Sequence, residues 1–426
     1  MISGLGNSQS STTTYKVVMP FYVYASLSFL AATILLFFSS SAFVQHYFHP
    51  KTLAITHSMA LGWGTMIILG ASHQLVPVLI ERKLYSTSLA LTSFALAAIG
   101  IPLLVYGFYN FDFGSLTQIG ALLVIGAISV YLVNLLISMS KSQKENVHAT
   151  FVFTATLWLL LTAVLGYLLI INFTHTIFSQ DSLEYLPLHA HLGIIGWFLL
   201  LVTGIGSRLI PMFLISKYDN PKMLWWVYGL INTGLVLFVI LFLFFPQKSL
   251  FLLPVILVIA GIVIFARFCY KAYRQRLRKK VDEQVKTSLL SVMLMLLPFI
   301  FLIPVIIMLL FSVENTKLVL AYGFCIFFGW ITAIILGMTF KTLPFIQWNK
   351  TYHHKARSAK TPSPADLFNH SIFNYMVIVY LTGFVLFVTG ILSANGIILK
   401  LASFILLLAA VLYNGNVFKI LMHKAK

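Results

Sequence analysis

The stretch THSMALGWGTMIILGASHQLVPVLI, residues 56–80, decides the fold. It is an apolar run long enough to cross a bilayer as a helix and far too long for a membrane strand. The same pattern returns as AHLGIIGWFLLLVTGIGSRLIPMFL at 190–214. His57 matches His191, Gly62-Trp63 matches Gly196-Trp197, Gly70 matches Gly204 and Pro77 matches Pro211, at a constant offset and without a gap. A third copy, FCIFFGWITAIILGMTFKTLPFIQW at 324–348, keeps Gly329-Trp330, Gly337 and Pro344 in register, with Phe324 where the histidine stood. Small residues let helices approach closely in a membrane, and proline can kink or end a helix.

Working outward, apolar runs lie near 17–45, 52–80, 86–110, 116–140, 147–174, 186–215, 222–246, 249–272, 287–312, 316–346, 367–392 and 396–421. Turn-forming stretches such as ERKLYS, YNFDFG, SKYDNP and SANG separate them. The reading is an all-α integral membrane protein of about 12 transmembrane helices in a single domain over 1–426. It comprises three repeats of four helices, near 17–140, 147–272 and 287–421, in a pseudo-threefold arrangement. Composition agrees: 60% of the 426 residues are hydrophobic and only 9% charged, against the quarter or so that a soluble domain carries. The polar opening MISGLGNSQSSTTTY lacks a basic segment and reads as a tail rather than a signal peptide. Cys269 and Cys325 are too few for a disulfide framework or a four-cysteine zinc site.

The net charge of +18 is a matter of placement. Basic residues gather after the even spans: Arg82 and Lys83, Lys141 and Lys144, Lys217 and Lys222, the run RQRLRKK at 274–280, and Lys350, Lys355, Arg357 and Lys360. The other set of loops holds Lys51, Lys248, Lys317 and Lys400, four of the 28 Lys and Arg. The even loops and both tails are therefore expected in the cytoplasm. The basic residues do not form one face with interleaved aromatics, so no nucleic-acid partner is expected. Membrane lipid is, with the run at 271–280 able to meet anionic headgroups.

Histidine inside a membrane is costly and points to function. His57, His189 and His191 all fall in the outer third of their spans. Residues two apart on a helix diverge by about 200°, so His189 and His191 face different pockets. Neutral imidazole is a good axial ligand for haem iron. One haem across spans two and six would take His57 with His191 or His189, and the histidine left over would face a second pocket. The competing reading is a hydrogen-bonded histidine joining helices. His73 lies about 24 Å further along the helix than His57 and reads as an inner-side polar contact. Gln74, Arg208 and Lys341, matched across the repeats, read as side chains reaching to the inner headgroups. His46, His49, His148, His175, His353 and His354 lie at loops or span ends and read as mostly solvated, His49 and His175 being able to approach the outer pocket. No carboxylate lies mid-span, which counts against a proton pump or an ion-coupled carrier.

Three four-helix arcs with an outer histidine on the second helix resemble subunit I of the haem-copper oxidases, which include cytochrome oxidases and nitric oxide reductases. THSMALGWGTMIILGASHQLVPVL is similar to that family's second-span haem segment, with His57 as ligand. HAHLGIIGWF resembles the family's divergent members and, more loosely, NnrS-type membrane haem proteins. The resemblance implies one or two haems, copper at His191, a bacterial cytoplasmic membrane, a respiratory electron donor or partner subunits, and oxygen or nitric oxide chemistry or response. The chain departs from the pattern in having no histidine on span seven and none on span ten, so haem binding is implied more strongly than the copper centre or catalysis. The alternatives are a transporter, which twelve spans permit but three same-sense repeats disfavour, and a non-catalytic partner in a respiratory complex.

Overall fold

A computed structural model describes residues 13–142, 146–245, 247–352 and 361–425. Among them, twelve helices are long and apolar enough to cross a membrane: α1 Tyr15–Phe38, α2 Pro50–Leu79, α3 Thr87–Asn110, α4 Ser115–Ser140, α5 Val147–Asn172, α6 Leu186–Phe213, α7 Pro221–Phe244, α8 Lys248–Arg274, α9 Glu283–Leu310, α10 Thr316–Tyr352, α11 His370–Ser393 and α12 Gly396–Leu421. The described residues form no strand beyond a single bridge between Ser216 and Arg276. The chain is an all-α integral membrane protein. Residues 1–12 of the opening tail, His353, His354, Lys144, Lys355, Arg357 and Lys360 fall outside the described residues.

Most span boundaries sit within a few residues of the hydropathic reading, and three depart from it for visible reasons. α1 stops at Phe38 because the serine run that follows turns into a tight 3-10 segment, Ser40–Val44. α9 breaks at Met295 and Leu296, just before Pro298, which cannot donate to the preceding turn. α10 runs on through Pro344 to Tyr352, six residues further than expected. Its extension is tied to the end of α12: the Gln347 amide donates to the carbonyls of Leu421 and His423, and the Tyr352 hydroxyl lies 2.8 Å from His423 Nε2.

The helices gather into two compact units. One holds Ser72–Lys280 and Phe299–Asn315, together with Thr13; the other holds Thr14–Ala71, Val281–Pro298 and Thr316–Lys426. Within the units, all three repeats are built to one plan. The first helix of each packs on the second (α1 on α2, α5 on α6, α9 on α10), and the third and fourth form a hairpin (α3 with α4, α7 with α8, α11 with α12).

The crossing of first and second helices falls at the matched glycine every time. A methyl group on Gly70 would come 2.7 Å from Phe21 Cβ. One on Gly204 would overlap Phe151 Cβ, and one on Gly337 would reach the Gln284 carbonyl at 2.6 Å. The glycines are what lets these backbones touch. Trp63, Trp197 and Trp330, seven residues before the matched glycines, are all buried. Trp63 stacks on Phe29 at 4.6 Å and its indole N–H donates to the Thr332 hydroxyl at 3.2 Å.

The matched prolines lie inside their helices. In the first two repeats the helix ends soon after, with the same closure. Glu81 and Ile215 turn left-handed at φ 54° and 51°. The next amides, of Arg82 and Ser216, then donate back to the Pro77 and Pro211 carbonyls at 3.1 and 2.9 Å. This is the usual way a helix C-terminus satisfies its last carbonyls, done here without glycine.

Candidate functional site

His57, His191 and Phe324 occupy one register position, and in each repeat the helix changes character at the next residue. The α-helical hydrogen bonding gives way to π-helical turns over Ser58–Thr65, Leu192–Leu199 and Cys325–Ile331. Each π segment contains the Gly-Trp pair. A π turn accommodates one residue more than the α-helix around it and shifts the side chains on either side, and such turns are frequent at functional sites. In the third repeat Gly329 leaves helical geometry altogether, at φ −94° and ψ −107°.

The two histidines share a second feature. His57 Nδ1 lies 2.8 Å from the Leu53 carbonyl, and His191 Nδ1 lies 2.7 Å from the Pro187 carbonyl, each one turn back on its own helix. A carbonyl only accepts, so Nδ1 carries the proton and donates. Nε2 then carries the lone pair, and the ring is oriented by its own helix. This is the arrangement found behind metal-bound imidazoles, where the second ring nitrogen is fixed by a carbonyl or carboxylate. Pro187 has no amide hydrogen and lies in the first turn of the helix that carries His191; Pro50 likewise opens the helix that carries His57, where the His49 ring caps it by accepting from the Lys51 amide at 3.2 Å.

His189 and His191 turn to different neighbours, as their spacing predicts. His189 enters the contact with α5, where Nδ1 lies 3.1 Å from the Thr162 carbonyl. Its ring lies against Gly166, where a methyl group would come 2.7 Å from Cε1. His191 faces α7, with its ring 5.0 Å from that of Phe238. Of the pair, His191 repeats the setting of His57, and His189 has the helix-joining character weighed for it above. His57 belongs to one compact unit, and His189 and His191 to the other.

Phe324 shows what fills the position in the third repeat. Its ring stacks on Phe328 at 4.6 Å and on Phe387 at 4.3 Å, with Phe43 edge-on at 6.1 Å. Aromatic contacts of this kind supply packing and no lone pair.

Other residues depart from their sequence reading. His148 is buried rather than solvated: Nδ1 lies 3.0 Å from the Gly204 carbonyl and 2.9 Å from the Ser207 hydroxyl. It thus binds at the carbonyl of the crossing glycine of its own repeat. His73 is buried too, its ring edge-on to Tyr131 at 5.1 Å. Lys341 does more than reach for headgroups, because it forms an ion pair with Asp282 at the start of α9. Arg208 is exposed, as expected of a side chain reaching outward. Neither pairing was signalled in the sequence, since each depends on which first helix lies beside which second helix.

Among the described residues no three of His, Cys, Asp and Glu come together as a metal site. Copper at His191 would need further donors of that kind, whereas a haem iron takes only one or two imidazole nitrogens from the protein. A histidine with Nδ1 held and its lone pair on Nε2 is a donor that a haem iron can take. No protein-family model matches the chain, and no curated protein matches it.

Proposed function

We propose that this chain is a haem-binding integral membrane protein in which His57 and His191 each offer Nε2 as an axial donor. The observation that carries this reading is the duplicated setting of the two histidines. Each stands at the head of a π segment, and each has Nδ1–H held by the carbonyl one turn back. A histidine that joins helices turns Nδ1 to a neighbouring helix, as His189 does to the Thr162 carbonyl. At His57 and His191 Nδ1 donates within the residue's own helix, which orients the ring from its own backbone and places the lone pair on Nε2, the tautomer that iron takes. Haem at such a position supplies one-electron transfer, or binding of oxygen or nitric oxide where a coordination place stays open. Respiratory electron transfer, or oxygen or nitric oxide chemistry or response, is the corresponding role. Copper is not part of this proposal.

The test is the visible spectrum of protein purified from cells supplied with haem. A Soret band, a reduced α-band and haem recovered by extraction at one or two per chain are expected. Colourless protein from such cells would refute the reading and leave a carrier or a non-catalytic partner subunit.

The orientation that goes with this reading puts both tails in the cytoplasm and the two donor histidines toward the outer leaflet, following the bias of the basic loops. A reporter fused after residue 426 and active only in the cytoplasm should be active, and one fused in the loop between α7 and α8 should not. The opposite pair of results would invert the assignment.

A further inference from the structure

One corner of the molecule concentrates charge beyond what orientation requires. It lies where α7 begins and α8 ends, the two helices being an antiparallel hairpin, so that these ends are neighbours. The loop after α6 joins it: the Leu277 amide donates to the Ile215 carbonyl at 3.1 Å, and Ser216 bridges to Arg276 in strand fashion. The chain past α8 is therefore not a loose basic tail. Arg276 lies flat on the Tyr273 ring, 3.9 Å from its centroid, and donates from Nη1 to the Tyr273 carbonyl at 2.7 Å. Lys271 stands 6.0 Å over the Tyr218 ring of the bridged loop. Arg274 is exposed between them in sequence, and Lys217 follows Ser216 on the loop. Asp219 is the sole carboxylate in the whole stretch from 214 to 280.

The side chains one turn deeper differ in kind. Tyr270 is 58% exposed and Trp226 is 67% exposed, on the two neighbouring helix ends. Arg267, one turn before Lys271 on α8, is exposed as well. Tryptophan and tyrosine favour the headgroup level of a bilayer, and arginine within the last turns of a span reaches toward phosphate. A soluble acidic partner would meet the outer cations but not this layer. A lipid meets both, its phosphate among the cations and its chains along the hairpin.

We propose that the α7–α8 corner, with Lys271, Arg274, Arg276 and Lys217 above Tyr270 and Trp226, is a binding site for an anionic phospholipid. The fixed placement of Arg276 distinguishes it from a diffuse basic surface, because a guanidinium already held on a ring loses little freedom when it meets phosphate.

The experiment is native mass spectrometry of the full chain in neutral detergent, titrated with phosphatidylglycerol or with phosphatidylcholine. Phosphatidylglycerol should be retained with a clear preference. Arg274→Gln and Lys217→Gln, on separate segments of the corner, should each reduce that preference about fivefold. Lys83→Gln, a basic loop residue elsewhere, should leave it unchanged. Thermal unfolding of each variant confirms that it is folded, and the use of two independent positions keeps the test valid if one variant is not. Equal retention of the two lipids would overturn the proposal, as would equal loss in Lys83→Gln. Glycerol phosphate displacing the lipid at the same concentration would also overturn it, showing an anion site without a lipid. None of these readouts depends on haem.

Discussion

His57→Ala should abolish the low-spin haem spectrum while the protein still inserts in the membrane and purifies at its normal size. The ring contributes a structural bond within its own helix, from Nδ1 to the Leu53 carbonyl one turn back. That carbonyl already accepts within the helix, so losing the side chain costs about 1 kcal/mol. Losing Nε2, in contrast, removes an axial donor for which the first repeat has no substitute at that register. The expected change is therefore spectral and near-complete, with the reduced α-band falling at least about tenfold per chain. His191→Ala should give a comparable loss. His189→Ala should give a smaller one accompanied by lower thermal stability, since its ring fills the space left by Gly166 and is held at the Thr162 carbonyl. His73→Ala should leave the spectrum as it is. An unaltered low-spin spectrum in His57→Ala would remove His57 from the site.

The second large effect is on stability. Gly337→Ala should lower the thermal midpoint markedly, because the new methyl group would meet the backbone of α9: the Gln284 carbonyl at 2.6 Å and the Ser288 amide nitrogen at 2.9 Å. A flexible side chain could swing away, but the backbone of a packed helix cannot. The two helices must separate, and overpacking of this kind costs about 1–3 kcal/mol. Gly204→Ala should behave alike, with the further loss of the carbonyl geometry that His148 uses. Gly229→Ala and Gly323→Ala are the controls. A methyl group at either has nothing within 4 Å, so the helix should be unaffected or slightly more stable. Equal midpoints for Gly337→Ala and Gly229→Ala would mean that the glycine crossing does not hold the repeat together.

These residues also show where the sequence was readable. Spans are visible because hydropathy over a bilayer's thickness is a local property, and the repeat because three glycines and three Gly-Trp pairs keep one spacing. The glycine crossings could be anticipated, since small residues at fixed register serve close approach. The π turns could not, because a shift in backbone hydrogen bonding leaves no mark in composition. His148 was misplaced for a related reason: next to a basic loop it looks solvated, and only the neighbouring Gly204 carbonyl and Ser207 hydroxyl make it a buried residue. Lys341 and Asp282 lie far apart in the chain, and nothing in either neighbourhood signals the other. At the candidate site His57, with His191 or His189, could be singled out from the repeat alone. The bonds to Leu53 and Pro187, which favour His191 over His189, required coordinates.

The π turns also bear on the molecule's ancestry. A π turn amounts to one residue inserted into an α-helix, and the three copies hold theirs at the same register. An insertion shared in this way dates from the single unit that was duplicated, before the copies diverged. Two descendants carry histidine beside it and one carries phenylalanine. The π-turned backbone is thus the part the three copies share, and the side chain at its edge is the part in which they differ.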